Sequence, residues 1–284
     1  MKYKKIIDLI LVLIVLILLA RIASLLAAES IDSKLERDKG IIKGAEPISI
    51  YKNSTKSVLL LHGFAANPYS MKELADFFSE NDYNVYAPLL PGHGTSAFDM
   101  EKYSWRDWQN KSEESYLMLR NTSKDVYVVG VSMGADLGLN LAKKYDINGL
   151  IIINAPYNLK TNIIYAAPVV YFTQKYFIKN IFLADDDMTL SEEYRIYSII
   201  PVKSVYDILD LIHYTDTDLD KVNETILIIQ SDKDSLVDPS SADIIYSLIK
   251  SNDKKLIRLE NSTHIYFTDQ DKFKIQKEIL NIIK

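Results

Sequence analysis

Gly130-Val131-Ser132-Met133-Gly134 decides how this chain is read, because it follows the apolar run 126–129 and precedes a helical pattern over 135–145. Strand, sharp turn and helix in that order form the setting of a nucleophile elbow. A serine held there sits in a strained turn, and glycine at both flanks lets strand and helix approach without a Cβ clash. Its hydroxyl is pushed out beyond the sheet edge. The five-residue pattern alone is a weak signal; the elements on either side of it carry the reading.

A serine hydroxyl is a weak nucleophile at neutral pH, so the turn needs a base, an orienting carboxylate and an oxyanion site elsewhere in the chain. The chain has four histidines, His62, His93, His213 and His264, which narrows the search for the base. His264 ends a polar turn between a strand-like stretch at 255–259 and a helix-like one at 269–283. Asp234 follows the apolar strand 225–229, with Asp232 and Asp238 as rivals better read as solvated loop carboxylates. His62 stands in Leu61-His62-Gly63-Phe64 and reads as a residue that orders its loop, service as the base being its lesser reading. His213 reads as a surface or packing residue.

The order Ser132, Asp234, His264 is that of the α/β-hydrolases and differs from the orders of the two large serine-protease folds. Four segments go further: L-H-G-F at 61–64, L-P-G-H-G-T-S at 90–96, G-V-S-M-G at 130–134, and D-S-L-V-D-P-S-S-A at 234–242. With them the chain resembles the carboxylesterase and monoacylglycerol-lipase branch of the α/β-hydrolase superfamily, over about residues 45–284 and most weakly over 156–222. The resemblance implies Asp234 as the catalytic acid, and backbone N–H groups of Phe64 and Met133 as the oxyanion hole. It departs from the common pattern at Gln230, where a glycine is frequent.

The rest of the chain agrees with a mostly parallel, doubly wound α/β sheet. Strands are predicted at 48–51, 57–61, 84–87, 125–129, 150–153, 225–229 and 255–259, several of them continuous β-branched or leucine runs suited to burial on both faces. Helical patterns intervene at 68–79, 104–120, 135–145, 240–248 and 269–283, an alternation that sets active-site loops at the strands' C-terminal edge. The interval 157–222 is too long for an ordinary connection and reads as an inserted, helical cap. Its aromatic and aliphatic load, Ile163, Ile164, Tyr165, Val169, Val170, Tyr171, Phe172, Tyr176, Phe177, Ile178 and Phe182, suits either an acyl pocket or the cap's own core. Trp105 and Trp108 read as packing residues.

The N-terminus is the other strong signal. Lys2, Lys4 and Lys5 precede an apolar stretch at 6–28 interrupted only by Asp8, Arg21 and Ser24. That length spans a bilayer, and the leading lysines keep the N-terminus in the cytoplasm with the rest of the chain outside. Residues 1–28 are therefore expected to be an uncleaved membrane anchor, 29–44 a linker and 45–284 the hydrolase domain. A cleaved signal peptide with Ala27-Ala28 at its end is the alternative. Setting aside Lys2, Lys4, Lys5, Arg21 and Asp8 leaves 29 basic and 37 acidic side chains, a net charge of −8 that argues against nucleic-acid binding. There is no cysteine, which excludes disulfides, thiolate metal sites and cysteine nucleophiles. Five N-x-S/T triplets begin at Asn53, Asn110, Asn121, Asn223 and Asn261, and a glycan on the last would crowd His264.

These readings converge on a membrane-anchored serine carboxylesterase for small to medium acyl esters, monoacylglycerols included, needing no metal or organic cofactor. Two alternatives stay open: an envelope acyltransferase using the same three residues, and a non-catalytic binding module on the same fold.

Overall fold

A computed structural model describes residues 2–160, 167–178, 193–194 and 196–283. Helix α1 (Lys2–Asp32) leads into a small hairpin of β1 (Arg37–Asp38) and β2 (Ile41–Ile42). Then come β3 (Ile48–Ile50), β4 (Lys56–Leu61), α2 (Lys72–Glu80), β5 (Asn84–Ala87), α3 (Ala97–Met100), α4 (Trp105–Thr122), β6 (Asp125–Val131), α5 (Met133–Ala142) and β7 (Gly149–Ile153). The insertion contributes α6 (Ala167–Thr173), β8 (Tyr176–Ile178), β9 (Ile199–Pro201) and α7 (Val202–Asp216). The chain closes with β10 (Ile226–Ser231), α8 (Ser240–Leu248), β11 (Lys254–Leu259) and α9 (Asp269–Ile282).

Seven strands form the central sheet in the order β11-β10-β7-β6-β4-β5-β3, parallel throughout except for β3 at one edge. The apolar runs in β4, β7 and β10 are explained by this placement: each lies inside the sheet and is covered on both faces. Alternation then sorts the side chains. Leu59, Val128, Leu150, Ile152 and Ile228 face α4, α5 and α8, whereas Val58, Leu60, Val129, Ile151 and Ile229 face α2 and α9. Trp108 is fully buried in the first of these layers, and its indole N–H donates to Pro91 O at 3.0 Å. The expected α/β-hydrolase architecture is therefore present, with the C-terminal ends of β4, β6, β7, β10 and β11 along one rim.

Three stretches differ in detail from the sequence reading. The helix expected to end at residue 28 continues to Asp32, and the segment after it holds the β1–β2 hairpin, in which Ile42 is buried and its N–H donates to Gly94 O at 2.8 Å. The insertion is not helical throughout, since β8 and β9 pair antiparallel with Phe177 opposite Ile200. Of its predicted pocket residues, Ile163, Ile164, Tyr165 and Phe182 lie outside the described residues, as do the side chains of Val169 and Ile178. Val170, Tyr171 and Phe177 pack into a cluster with Ala65, Met100 and Val205, Tyr176 joins a second cluster with Ala28 and Ile199, and Phe172 is exposed. The packed members seat the cap on α1, α3 and the loop after β4, and none of them lines the active-site cavity.

Candidate active site

The turn from β6 into α5 is as tight as its two glycines suggest. A Cβ on Gly130 would lie 2.1 Å from Gly134 O, and one on Gly134 would lie 2.0 Å from Leu61 O. Both contacts are with backbone, so neither position tolerates a larger residue without moving a strand or a helix. Ser132 between them has φ 54° and ψ −123°, a conformation that glycine adopts freely and other residues do not. Its N–H donates to Ile153 O at 2.8 Å, which ties the turn to β7.

Three predicted residues meet above this turn. His264 Nε2 lies 3.0 Å from Ser132 Oγ, and His264 Nδ1 lies 2.7 Å from Asp234 Oδ2. Asp234 is fully buried, and its other oxygen, Oδ1, accepts the N–H groups of Leu236 and Val237 at 2.8 Å each. Three hydrogen bonds therefore fix the carboxylate in place with one oxygen aimed at the imidazole. The Nδ1–H must then point at Asp234, leaving the Nε2 lone pair for the serine hydroxyl proton.

Asn154, at the end of β7, is a supporting residue that the sequence reading did not find. Fully buried with φ 52°, it accepts the Ser231 N–H at 2.8 Å and donates to His264 O at 2.9 Å. It bridges the end of β10 to the loop after β11, filling the lateral gap that the histidine must cross. Ser262, donating to Asp271 Oδ2 at 2.6 Å inside the protein, braces the same loop against α9. An isolated Asn after Ile151-Ile152-Ile153 looks like a strand terminator, and only its positive φ and its partners disclose the role.

The rival residues fall elsewhere. His62 is buried and neutral: burial lowers its pKa to about 4, Nδ1 donates to Gly63 O at 2.9 Å, and Nε2 accepts the Leu90 N–H at 3.3 Å. It fastens the loop after β4 to the loop after β5. His93, whose pKa burial drives well down, stacks beside it at 5.1 Å between ring centroids. His213 is exposed on α7. Asp232 pairs with Arg258 at the surface, and Asp238 accepts the Ser240 N–H at the start of α8.

Met133 is the first residue of α5, so its N–H belongs to the opening turn, where helical amides lack an intrahelical acceptor and the helix dipole favours negative charge. Phe64 follows Gly63, whose missing Cβ would stand 3.4 Å from Ser132 Cβ, and its ring packs against Trp108. Both residues line a cavity of about 420 Å³ that also contains Ser132 and His264. Its walls are mainly apolar, with Leu159, Ile208 and Ile212 from the insertion and Met71, Leu74 and Ile275 from the opposite side. Ser70, Glu73, Lys272 and Gln276 form a polar margin, across which Lys272 and Glu73 pair at 2.9 Å. Such a chamber suits a substrate with an apolar body and one polar group to be attacked.

Comparison with known proteins agrees with this geometry. A family model described as serine aminopeptidase, S33, matches residues 52–271. A thermostable monoacylglycerol lipase of Bacillus sp. (strain H-257) is 34% identical over 232 residues, covering 81% of this chain and 91% of its own. A carboxylesterase of Bacillus subtilis (strain 168) is 24% identical, covering 82% and 94%. A solved structure from work on LipS and LipT, two metagenome-derived lipolytic enzymes, superposes with a TM-score of 0.76 at 28% identity, covering 85% of this chain and 98% of the other. The chain therefore belongs to the serine aminopeptidase S33 family of α/β-hydrolases, among its carboxylesterase and monoacylglycerol-lipase-like members, and is an ester-hydrolysing serine hydrolase.

Proposed function

We propose that the chain is a membrane-anchored serine carboxylesterase that cleaves small to medium acyl esters, monoacylglycerols among them, through Ser132, His264 and Asp234. Ser132 Oγ attacks the ester carbonyl while His264 Nε2 takes its proton. Asp234 holds the imidazole tautomer and stabilises the imidazolium. The N–H groups of Phe64 and Met133 receive the oxyanion. Collapse of the tetrahedral species returns the proton from His264 to the departing alcohol and leaves an acyl-Ser132 ester. Water, deprotonated by the same His264, then attacks that ester and releases the acid.

The observation that carries this reading is the unbroken relay Asp234–His264–Ser132, at 2.7 and 3.0 Å, opening into an apolar cavity. The names of the relatives, a monoacylglycerol lipase and a carboxylesterase, support the ester class. For the anchor, support comes from α1: over Tyr3–Asp32 its most apolar window has a mean hydropathy of 3.1, and none of that window is buried. Lys2, Lys4 and Lys5 then lie on the cytoplasmic side and the hydrolase domain outside the cell membrane. Retention of the helix is supported by the packing of Leu25 and Ala28 against Tyr176 and Ile199.

The test is hydrolysis of p-nitrophenyl esters across an acyl-length series by the full chain in detergent, with Ser132→Ala as control. Serine-dependent turnover is expected, with an optimum length that sizes the cavity. Turnover undiminished in Ser132→Ala would overturn the assignment.

A further inference from the structure

Half of α1 belongs to the cap. Ile17, Ala20, Arg21, Ser24, Ala28 and Ile31 are among its covered positions, spaced three and four apart, so a single face is docked. At the near end of that face Arg21 Nη1 donates to Tyr171 O at 2.6 Å, with Phe172 O at 3.4 Å, and its guanidinium lies 5.3 Å from the centre of the Tyr171 ring. Those two carbonyls end α6, where a cation complements both the unpaired carbonyl groups and the helix dipole. Ser24 Oγ accepts the Lys175 N–H at 3.3 Å, one turn further along. Beyond it Leu25, Ala28 and Ile31 close onto Tyr176, Ile199 and Ala97, and Asp32 pairs with Arg37 at 2.7 Å.

The helix rise turns this docking into a depth gauge. A hydrocarbon core of about 30 Å takes about 20 residues at 1.5 Å each. A span beginning at Tyr3 ends near Ile22, and one beginning at Ile6 ends near Leu25. In either register Arg21 and the α6 terminus it holds fall within about one turn of the membrane boundary. Among the described residues there, Phe172 is an exposed apolar side chain, 69% exposed at the end of α6. A phenylalanine ring at that level gains by leaving water for hydrocarbon. An arginine within an apolar run is otherwise costly, and its partners here are cap carbonyls.

We propose that α1 is the post on which the cap is mounted, holding α6 against the lipid bilayer with the Phe172 ring inserted into it. This rests on the reading of α1 as a membrane span. The post also reaches the active-site chamber: the cluster containing Val170 and Tyr171 includes Phe64, Ala66 and Ile196, which line the cavity. Lipid contact at α6 is thereby linked through packed side chains to the chamber wall.

The chain has no cysteine, so single nitroxide labels are unambiguous. The full chain is reconstituted in phosphatidylcholine vesicles with Phe172→Cys, Ile14→Cys or Asn121→Cys carrying the label. Collision with oxygen and with a water-soluble nickel chelate is then measured. Labels at 14 and 172 are expected to favour oxygen and the label at 121 the chelate. Arg21→Ala is expected to move the 172 label toward the chelate while leaving the 14 label in lipid, with fluorophosphonate labelling of Ser132 as the check on folding. A water-exposed label at 14 would overturn the membrane reading and the proposal with it. A lipid-exposed label at 14 beside a water-exposed label at 172 would overturn the proposal and leave the anchor standing. An unchanged 172 label in folded Arg21→Ala would remove the post.

Discussion

Replacing Ser132 by glycine should abolish turnover and at the same time make the protein more stable. At φ 54° and ψ −123°, Ser132 occupies a backbone region costing about 1–3 kcal/mol for a residue with a side chain. Glycine removes that cost, while its freer unfolded chain gives back about 0.4–1 kcal/mol. The net expectation is a gain of about 1 kcal/mol, or about 2–4 °C in Tm for a domain of this size. Ser132→Ala is the matched control, because it loses the same hydrogen bond with His264 but keeps the Cβ and the strain. Thermal unfolding of both variants in detergent, followed by circular dichroism, gives the comparison directly. If Ser132→Gly melts no higher than Ser132→Ala, the elbow stores no strain and the account of its backbone is wrong.

Asp234→Asn keeps an acceptor for Leu236 and Val237 but turns an N–H toward His264 Nδ1, forcing the proton onto Nε2; kcat should fall on the order of 10⁴-fold with Tm little changed, as read by fluorophosphonate labelling rate and calorimetry. Asn154→Ala strands the Ser231 N–H and frees the histidine loop, so a fall in kcat on the order of 10²-fold is expected, together with about 2 kcal/mol lost by denaturant titration. KM should hardly move, since Asn154 is not among the residues lining the cavity. Asp136 on α5 is buried with both carboxylate oxygens unpartnered; burial, reinforced by Asp216, raises its pKa well above the carboxylate range, and burial also raises Asp216 to about 7. A raised folded-state pKa means the native protein holds protons that the unfolded chain has released, so this contribution falls as pH climbs above about 4, through about 7 for Asp216 and on through the raised value of Asp136. Asp136→Asn should therefore gain Tm relative to the parent as pH rises across that window; a difference independent of pH would refute the assignment.

Much of the architecture can be read from runs of a few residues. Apolar stretches such as Leu150-Ile151-Ile152-Ile153 and Ile226-Leu227-Ile228-Ile229 announce inner strands, because only a strand covered on both faces has no polar side to show. Ser132 and His264 are legible for a related reason, as chemistry-bearing residues just past such runs. What the sequence hides has no period of its own. The two-residue strands at 37–38 and 41–42 and the pair β8–β9 are too short for alternation to register. The aromatic residues near Tyr171 are conspicuous, yet composition does not say which face of the cap they occupy. The cavity instead uses Ile208 and Ile212 of α7, unremarkable in the sequence. Asn154 acts through groups of residues 77 and 110 positions away, a relation without a local signature.

The strand order sets how this enzyme should fail. Ser132 rises from β6 in the interior of the sheet, whereas His264 hangs from the loop between β11, the outermost strand on its side, and α9. Margins of a sheet open more readily than its middle. On gentle warming the C-terminal unit of β11 and α9 can part from β10 while the serine stays seated in its turn. Catalysis would then vanish from a molecule that remains largely native, and would return on cooling. The rate of ester cleavage is thus a gauge of the sheet's periphery, and a strap across that border would extend the working temperature without touching the chemistry.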